Sequence, residues 1–320
     1  MCNVFYFGWE VTFIEFLQNQ LPDWFMRFFE LVTNLGDQLA LICVVGLIYW
    51  CLDKKIGMRL CLFLSAVGTF FPMIKNLVCR SRPYMDINTI RCVQPAYDGD
   101  IYDISVQGYS FPSGHACTCS TVYGGIIARY KNTFLRVLLL LVILLVCLSR
   151  CALGVHFPTD VLAGLVLGVL TMLLIQILDK KSTRKVYYPL LAAIGLVGYL
   201  YCGSEDYYTG YGILLGAMLS DVFERRYVRF EKAEGFWECL IRMVGGLGIF
   251  LIFSTALKLP FTESFLNSGT FLSHLVRTTR YIVLMFLDLA LYPLLFRYIK
   301  IGKHATKATE RNDENEQNQE

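Results

Sequence analysis

The chain has 320 residues, of which 55% are hydrophobic and 17% charged, and its net charge is +3. Its apolar residues are gathered into runs of about twenty, the length that crosses about 30 Å of hydrocarbon. This pattern excludes an ordinary soluble domain and predicts an all-α, polytopic membrane protein. The small net charge, with no Lys/Arg stripe interleaved with aromatic residues, excludes a nucleic-acid-binding protein.

Residues 1–36 mix aromatic and polar side chains. Aromatic residues favour the membrane–water interface. Polar residues such as Gln18, Asp23 and Arg27 interrupt the hydrophobicity. We therefore predict an N-terminal interfacial segment over 1–36 rather than a spanning helix.

The rest of the chain contains nine apolar segments, and the loops between them alternate in Lys and Arg content. The segments lie at 38–52, 57–78, 113–130, 134–153, 159–178, 187–202, 209–223, 236–257 and 280–298. The positive-inside rule places the basic loops in the cytoplasm. The loops at 79–112, 154–158, 203–208 and 258–279 are then expected on the other side. The polar residues 301–320 are predicted to be a disordered cytoplasmic tail.

Three polar clusters interrupt this apolar pattern, and all three fall at predicted non-cytoplasmic ends of segments. The first runs from Lys75 to Arg82-Pro83, the second is Pro112-Ser113-Gly114-His115, and the third is Ser149-Arg150 followed by His156 and Asp160. Charged residues at a membrane border are candidates for a functional site. Their common side allows one shared site.

The cations of these clusters suit a phosphate group. Lys75, Arg82 and Arg150 supply three positive charges for its oxygens. Pro112 is typical of a helix start, where Ser113 and Gly114 would present backbone N–H groups to an anion. Arg80, which lies between Lys75 and Arg82, is equally compatible with a plain surface charge.

The histidines suit phosphoryl transfer. Of His115 and His156, one can attack phosphorus while the other protonates the leaving oxygen. Asp160, four residues after His156, can orient an attacking imidazole and stabilise its cation.

Together the clusters resemble the type 2 phosphatidic acid phosphatase (PAP2) superfamily, whose pattern is Lys-x6-Arg-Pro, Pro-Ser-Gly-His and Ser-Arg-x5-His-x3-Asp. The resemblance implies that His156 is the nucleophile, that Asp160 orients it, and that His115 is the general acid. It assigns phosphate binding to Lys75, Arg82, Ser113, Gly114 and Arg150. It also implies that the reaction needs no metal and no cofactor.

The resemblance further implies a PAP2/haloperoxidase-like helical core. We therefore predict a catalytic core over 37–180, with about four additional transmembrane helices over 181–300. The nine-segment layout looks more like the sphingosine-phosphate phosphatase and glucose-6-phosphatase branches, whereas the sequence around His156 looks like bacterial lipid phosphatases.

The expected activity is hydrolysis of a phosphomonoester, chiefly a lipid phosphate, through a phosphohistidine at the non-cytoplasmic membrane face. One alternative is a phosphatase of sugar phosphates such as glucose 6-phosphate. Another is a catalytically silent lipid-binding or transport protein on the same bundle. The expected partners are the phosphomonoester and membrane lipids. The compact loops favour a bacterial cytoplasmic membrane over the endoplasmic reticulum.

Overall fold

The computed structural model describes residues 5–298, and within them the chain is helical with no β-strand. The expectation of an all-α chain is confirmed for this part. The predicted tail at 301–320 lies outside the described residues. The helices are α1 Gly8–Gln20, α2 Asp23–Thr33, α3 Gln38–Leu47, α4 Lys54–Val78, α5 Pro83–Asp86, α6 Ile104–Gln107, α7 Gly114–Arg129, α8 Thr133–Ala152, α9 Pro158–Lys181, α10 Arg184–Leu196, α11 Glu205–Phe223, α12 Phe236–Ala256, α13 Glu263–Leu266 and α14 Phe271–Phe286.

Short 3₁₀ and π segments extend several of these helices. The 3₁₀ segments are Asn34–Gly36, Val197–Leu200 and Tyr292–Tyr298, and the π segments are Ile48–Leu52, Glu224–Val228 and Leu287–Leu291. Helical structure therefore occupies each of the nine predicted apolar segments.

Five helices are long and apolar enough to cross a membrane, judged by length and composition. They are Lys54–Val78, Thr133–Ala152, Pro158–Lys181, Phe236–Ala256 and Phe271–Tyr298. A sixth span is possible if Asp23–Gly36 and Gln38–Leu52, which meet at a bend of 50°, count as one. That bent pair includes the second half of the predicted interfacial segment. Helix α7 has 16 residues and α10 has 13, fewer than the roughly 20 that a span needs.

The described chain forms two compact units. The first contains the residues up to Ile42 together with Leu62–Leu214, and the second contains Cys43–Cys61 and the residues from Leu215 onward. The predicted domain boundaries at residues 37, 181 and 301 stay predictions.

In the first unit, α7 packs against α8 and α9, and α2 packs against α8. Gly164 and Gly168 of α9 let the backbones of α7 and α9 approach closely. A Cβ atom at Gly168 would overlap the Ser120 side chain and the Cys117 carbonyl of α7. This contact brings the start of α7, which carries His115, beside the start of α9, which carries Asp160.

The second unit is held by buried polar contacts among its helices. Arg242 of α12 is 1% exposed and forms an ion pair with Glu238, and its Nη1 atom donates to the Trp50 carbonyl at 2.7 Å. The Tyr49 hydroxyl donates to the Leu289 carbonyl at 2.8 Å. These pairs satisfy polar groups that would be costly to bury alone.

Candidate active site

All eight predicted site residues lie in the first unit, at helix ends or in the loops beside them. Lys75 lies in the last turn of α4, Arg82 directly precedes α5, Ser113 precedes α7, Gly114 and His115 begin α7, Arg150 lies in the last turn of α8, His156 follows α8, and Asp160 lies in the first turn of α9. The N-terminus of α7 presents unpaired backbone N–H groups and the positive end of the helix dipole, which suit an anion. The last turns of α4 and α8 instead contribute the charged side chains of Lys75 and Arg150.

The loop between α8 and α9 positions His156. Gly154 has φ +75, and a Cβ atom there would overlap the Arg91 carbonyl. Glycine therefore allows both the left-handed backbone and the close approach. The backbone N–H of His156 then donates to the Arg150 carbonyl at 3.3 Å. The turn thereby holds the imidazole beside the last turn of α8.

His156 faces Asp160 and Ser110. The Nδ1 atom of His156 lies 3.6 Å from the Asp160 Oδ2 atom and 3.4 Å from the Ser110 Oγ atom. The Ser110 hydroxyl donates to Asp160 Oδ2. All three side chains are buried. The carboxylate and the hydroxyl together lie on the Nδ1 side of the ring, which leaves Nε2 as the nitrogen for chemistry.

The backbone around Asp160 fixes that carboxylate. The Phe157 N–H donates to Asp160 Oδ2 at 2.8 Å, and the Ser113 N–H donates to the Asp160 carbonyl at 2.9 Å. The second bond joins the start of α7 to the start of α9. Two of the three sequence clusters are thus bonded directly.

Arg82 is buried and binds the backbone of the long loop between α5 and α7. Its Nη2 atom donates to the Gln107 carbonyl at 2.7 Å, its Nε atom to the Gly108 carbonyl at 3.1 Å, and its Nη1 atom to the Val155 carbonyl at 3.2 Å. The Gln107 side chain, 0% exposed, binds the backbone of Tyr97 in turn. Arg82 therefore links the loop between α5 and α7 to the residue before His156.

Two buried donors of the site residues lack a hydrogen-bond partner in the described part of the chain. Among the described residues, the Ser113 Oγ and Arg150 Nε atoms have no hydrogen-bond partner, although Arg150 Nη1 donates to the Thr33 hydroxyl at 2.8 Å. Within the same part of the chain, Lys75, Arg82 and Arg150 form no ion pair with a carboxylate. The Lys75 Nζ atom lies 4.8 Å from the centroid of the Phe71 ring. Unsatisfied buried donors are costly, and an anion would satisfy them.

His115 has a carboxylate partner from the segment between α2 and α3. Its Nε2 atom lies 2.8 Å from Asp37 Oδ1. The His115 side chain is 25% exposed and that of Asp37 is 46% exposed. This histidine is thus more accessible than His156, whose side chain is 3% exposed.

The three cations of the site lower the pKa of His156. Burial of the imidazole, followed by the charges of Arg82, Arg150 and Lys75, holds the pKa of His156 well below its ordinary value. Burial also lowers the pKa of Arg82. His156 is therefore neutral at neutral pH, which is the form of imidazole that can attack phosphorus.

The sequence analysis missed several residues that complete this cluster. The suggestion that Arg80 is a surface charge is wrong, because Arg80 is 1% exposed and its Nη1 atom lies 2.6 Å from Asp160 Oδ1. Glu10 and Asp37 also escaped notice, since they lie far from the clusters in sequence. Ser110, which bonds Asp160, was missed as well. In the sequence, only proximity to the motifs could have pointed to two of these residues: Arg80 lies two residues before Arg82, and Ser110 lies two residues before Pro112.

Two family models match consecutive parts of the chain. The model of the PAP2 superfamily matches residues 56–184, and that of the PAP2 superfamily phosphatase transmembrane extension matches residues 208–305. The first range contains all eight predicted site residues. The second covers most of the additional helices, which supports an integral, multi-pass membrane protein.

Similar proteins come from bacteria, archaea and mammals. Phosphatidylglycerophosphatase B of Bacillus subtilis is 33% identical over 30% of this chain and 50% of its own length. Undecaprenyl-diphosphatase of Sulfolobus acidocaldarius is 28% identical over 42% of this chain and 60% of its own. Sphingosine-1-phosphate phosphatase 1 of Rattus norvegicus is 28% identical over 51% of this chain and 38% of its own. The chain thus spans about 40–60% of these relatives' lengths. No solved structure shows significant similarity to the chain.

Proposed function

The chain belongs to the PAP2 superfamily, and we propose that it is a membrane phosphatase that hydrolyses a lipid phosphomonoester. The observation that carries this proposal is the set of cations around the buried His156. The charges of Arg82, Arg150 and Lys75 all lower the pKa of the His156 imidazole. None of these three residues is paired with a carboxylate in the described chain. A phosphate group would supply the negative charge that this arrangement lacks.

In the first step, the Nε2 atom of His156 attacks phosphorus in line with the ester bond. The P–O bond breaks as the N–P bond forms, and His115 gives its proton to the leaving alkoxide oxygen. Asp160 stabilises the positive charge that develops on the attacking imidazole. Lys75, Arg82 and Arg150 hold the charged phosphoryl oxygens throughout, with the Ser113 hydroxyl and the Gly114 N–H.

In the second step, the neutral His115 takes a proton from water, and the resulting hydroxide attacks the phosphohistidine. The N–P bond breaks, inorganic phosphate leaves, and His156 returns to its neutral form. The atoms balance as one water consumed for one alcohol and one phosphate released. This chain's own residues supply each proton transfer.

A lipid substrate is supported by the similar proteins, each of whose names denotes a phosphatase of a lipid phosphate. The site residues lie at the ends of apolar helices, where a head group could bind while its acyl chain stays in the membrane. The alternation of charge between the loops supports the proposal that this end lies on the non-cytoplasmic side, in a bacterial cytoplasmic membrane.

Phosphate release by the purified protein tests the activity. The substrates are phosphatidate, lysophosphatidate, a sphingoid-base phosphate, phosphatidylglycerol phosphate, an isoprenoid diphosphate and glucose 6-phosphate. We expect turnover of at least one lipid and trapping of labelled phosphate on His156. Glucose 6-phosphate hydrolysis without lipid turnover would overturn the lipid assignment in favour of a sugar phosphatase.

Two histidine variants complete the test. His156→Ala should abolish phosphate release, whereas His274→Ala, a histidine of α14 outside the motifs, should not. An unchanged rate in His156→Ala would refute the mechanism. Binding of lipids without turnover of any of them would instead favour the catalytically silent alternative.

The membrane side is tested separately by cysteine accessibility. A cysteine introduced at Asp98, in the loop at 79–112, should react with a membrane-impermeant reagent added to the non-cytoplasmic side. Labelling from the cytoplasmic side alone would overturn the proposed orientation.

A further inference from the structure

Arg80 occupies an unspecified position of the Lys-x6-Arg-Pro motif, yet it is among the most buried side chains of the first unit. It is 1% exposed. Its Nη1 atom donates to Asp160 Oδ1 at 2.6 Å, and its Nη2 atom donates to Glu10 Oε2 at 2.9 Å. The guanidinium lies 4.7 Å from the centroid of the Phe5 ring and 4.1 Å from that of Phe157. One guanidinium thus bridges two carboxylates from within an aromatic pair.

Glu10 holds the other side of this bridge. It is 0% exposed. Its Oε2 atom also accepts from the Phe7 N–H at 2.8 Å, and its Oε1 atom accepts from the backbone N–H of Thr159 at 3.1 Å and from the Thr159 hydroxyl at 2.6 Å. Thr159 is the residue directly before Asp160. Helix α1 is therefore bonded to the start of α9 at the position that carries the catalytic carboxylate.

The positive charge of Arg80 favours the ionised form of Asp160. Two carboxyl groups, Glu10 and Asp160, share the one guanidinium of Arg80. If Arg80 lost its charge, two buried carboxylates would face each other across one site, and like charges in such a place take up a proton. A protonated Asp160 could not stabilise the cation that forms on His156 when it attacks.

We propose that Arg80, anchored by Glu10, is a positioning residue that keeps Asp160 ionised and aligned behind the nucleophile His156. This inference rests on the proposed phosphatase function. It makes α1 part of the catalytic unit, because Glu10, which anchors Arg80, belongs to α1. The other groups that face Asp160 or His156 are Ser110, the Phe157 N–H, Lys75, Arg82, His115 and Arg150.

The test compares Arg80→Gln with the double variant Glu10→Gln/Arg80→Gln. We expect Arg80→Gln to lower kcat by about 100-fold, with KM within about twofold, because Asp160 acts through His156 rather than on the substrate. The acid limb of kcat/KM should move to higher pH, since the carboxylate pair retains a proton. The double variant removes the second carboxylate, so it should regain about tenfold in kcat and return the acid limb towards that of the unmodified protein.

The matched control is Arg91→Gln. Arg91 also bonds α1, through the Gln18 carbonyl at 3.3 Å, but has no contact with Asp160. The Arg91→Gln enzyme should keep the kcat and the pH profile of the unmodified protein. An Arg80→Gln enzyme with the kcat and acid limb of the unmodified protein would overturn the inference. Equal loss in the single and double variants with no movement of the acid limb would also overturn it, because that pattern indicates packing alone.

A spectroscopic readout separates this inference from the proposed function. In protein with ¹⁵N-labelled histidine, His156 is identified by the signal that is missing in His156→Gln. We expect one neutral tautomer with the proton on Nδ1, retained in Arg91→Gln and lost in Arg80→Gln. An unchanged His156 signal in Arg80→Gln would overturn the inference whether or not any substrate is hydrolysed, whereas failure of every substrate with the expected spectra would overturn only the proposed function.

Discussion

The Nε2 atom of His115 lies 2.8 Å from the Oδ1 atom of Asp37. Each of the two histidines of the site thus has its own carboxylate, and the two carboxylates come from different segments. His156 is paired with a buried carboxylate of α9, whereas His115 is paired with a half-exposed one before α3.

Asp37→Asn should slow hydrolysis of alkyl phosphates by about tenfold, because a carboxylate favours the protonated imidazole that donates to the leaving oxygen. An aryl phosphate, whose leaving group needs little protonation, should be nearly unaffected. The ratio of the two rates is the measurement. Asp23→Asn, an exposed aspartate at the start of α2, is the control. Equal slowing of both substrates would contradict a role in leaving-group protonation.

The depressed pKa of His156 predicts a pH dependence of stability. The unfolded chain takes up a proton on this residue below about pH 6.5, whereas the folded chain does not until far lower pH, because burial and the nearby cations oppose it. The stabilising contribution is therefore present above about pH 6.5 and is lost as the pH falls below that value. Melting curves at several pH values should show a smaller acid-side loss in His156→Asn. An equal loss in the variant would contradict the assignment.

Gly154→Ala should destabilise the protein by about 2 kcal/mol or more, because the residue has φ +75 and no room for a Cβ atom. It should also abolish activity, because the displaced turn carries His156. Thermal unfolding and phosphate release measure the two effects. Gly203→Ala is the control, since Gly203 has no heavy atom within 4 Å of an added Cβ. A Gly154→Ala enzyme with normal turnover would show that the turn tolerates a side chain.

Vanadate should inhibit the enzyme, because it is an analogue of the trigonal-bipyramidal transition state of phosphoryl transfer. Arg150→Gln should weaken that inhibition by about 10- to 100-fold, in line with the loss of a charge-assisted hydrogen bond. Arg136→Gln is the control, because Arg136 lies at the other end of α8 and donates to the Tyr130 carbonyl. Equal vanadate sensitivity in both variants would argue against phosphate binding by Arg150.

The sequence predicted the site residues correctly where short-range spacing along the chain determines which side chains lie together. The pattern Lys75-x6-Arg82 and the four-residue step from His156 to Asp160 define positions that fold into one cluster, because both depend on short segments at helix ends. Apolar segment lengths likewise predicted where helices form. Charge alternation then suggested which helix ends share a side.

Spacing could not identify the residues that reach the site from elsewhere in the chain. Glu10 approaches Asp160 only because α1 packs beside the start of α9, and Asp37 approaches His115 only because the bend before α3 directs it there. A buried polar residue in an aromatic-rich segment looks the same in sequence as one at a membrane interface. The pairing of these acids is a result of tertiary packing, which a single sequence does not encode locally.

The bonds of Glu10 also bear on the order in which this protein can assemble. Its partner Arg80 lies 70 residues later in the chain, and Thr159 lies 149 residues later. During synthesis, α1 is therefore complete long before α9 exists, and contacts of such long range form late because loop closure must precede them. The bonds of Glu10 therefore form only after the start of α9 has been made, whereas Gln18 of α1 finds its partners Arg91 and Ala152 earlier in the chain. A ribosome-bound chain that ends before α9 would contain Arg82, Arg150 and His156 but not Asp160, the carboxylate that orients His156.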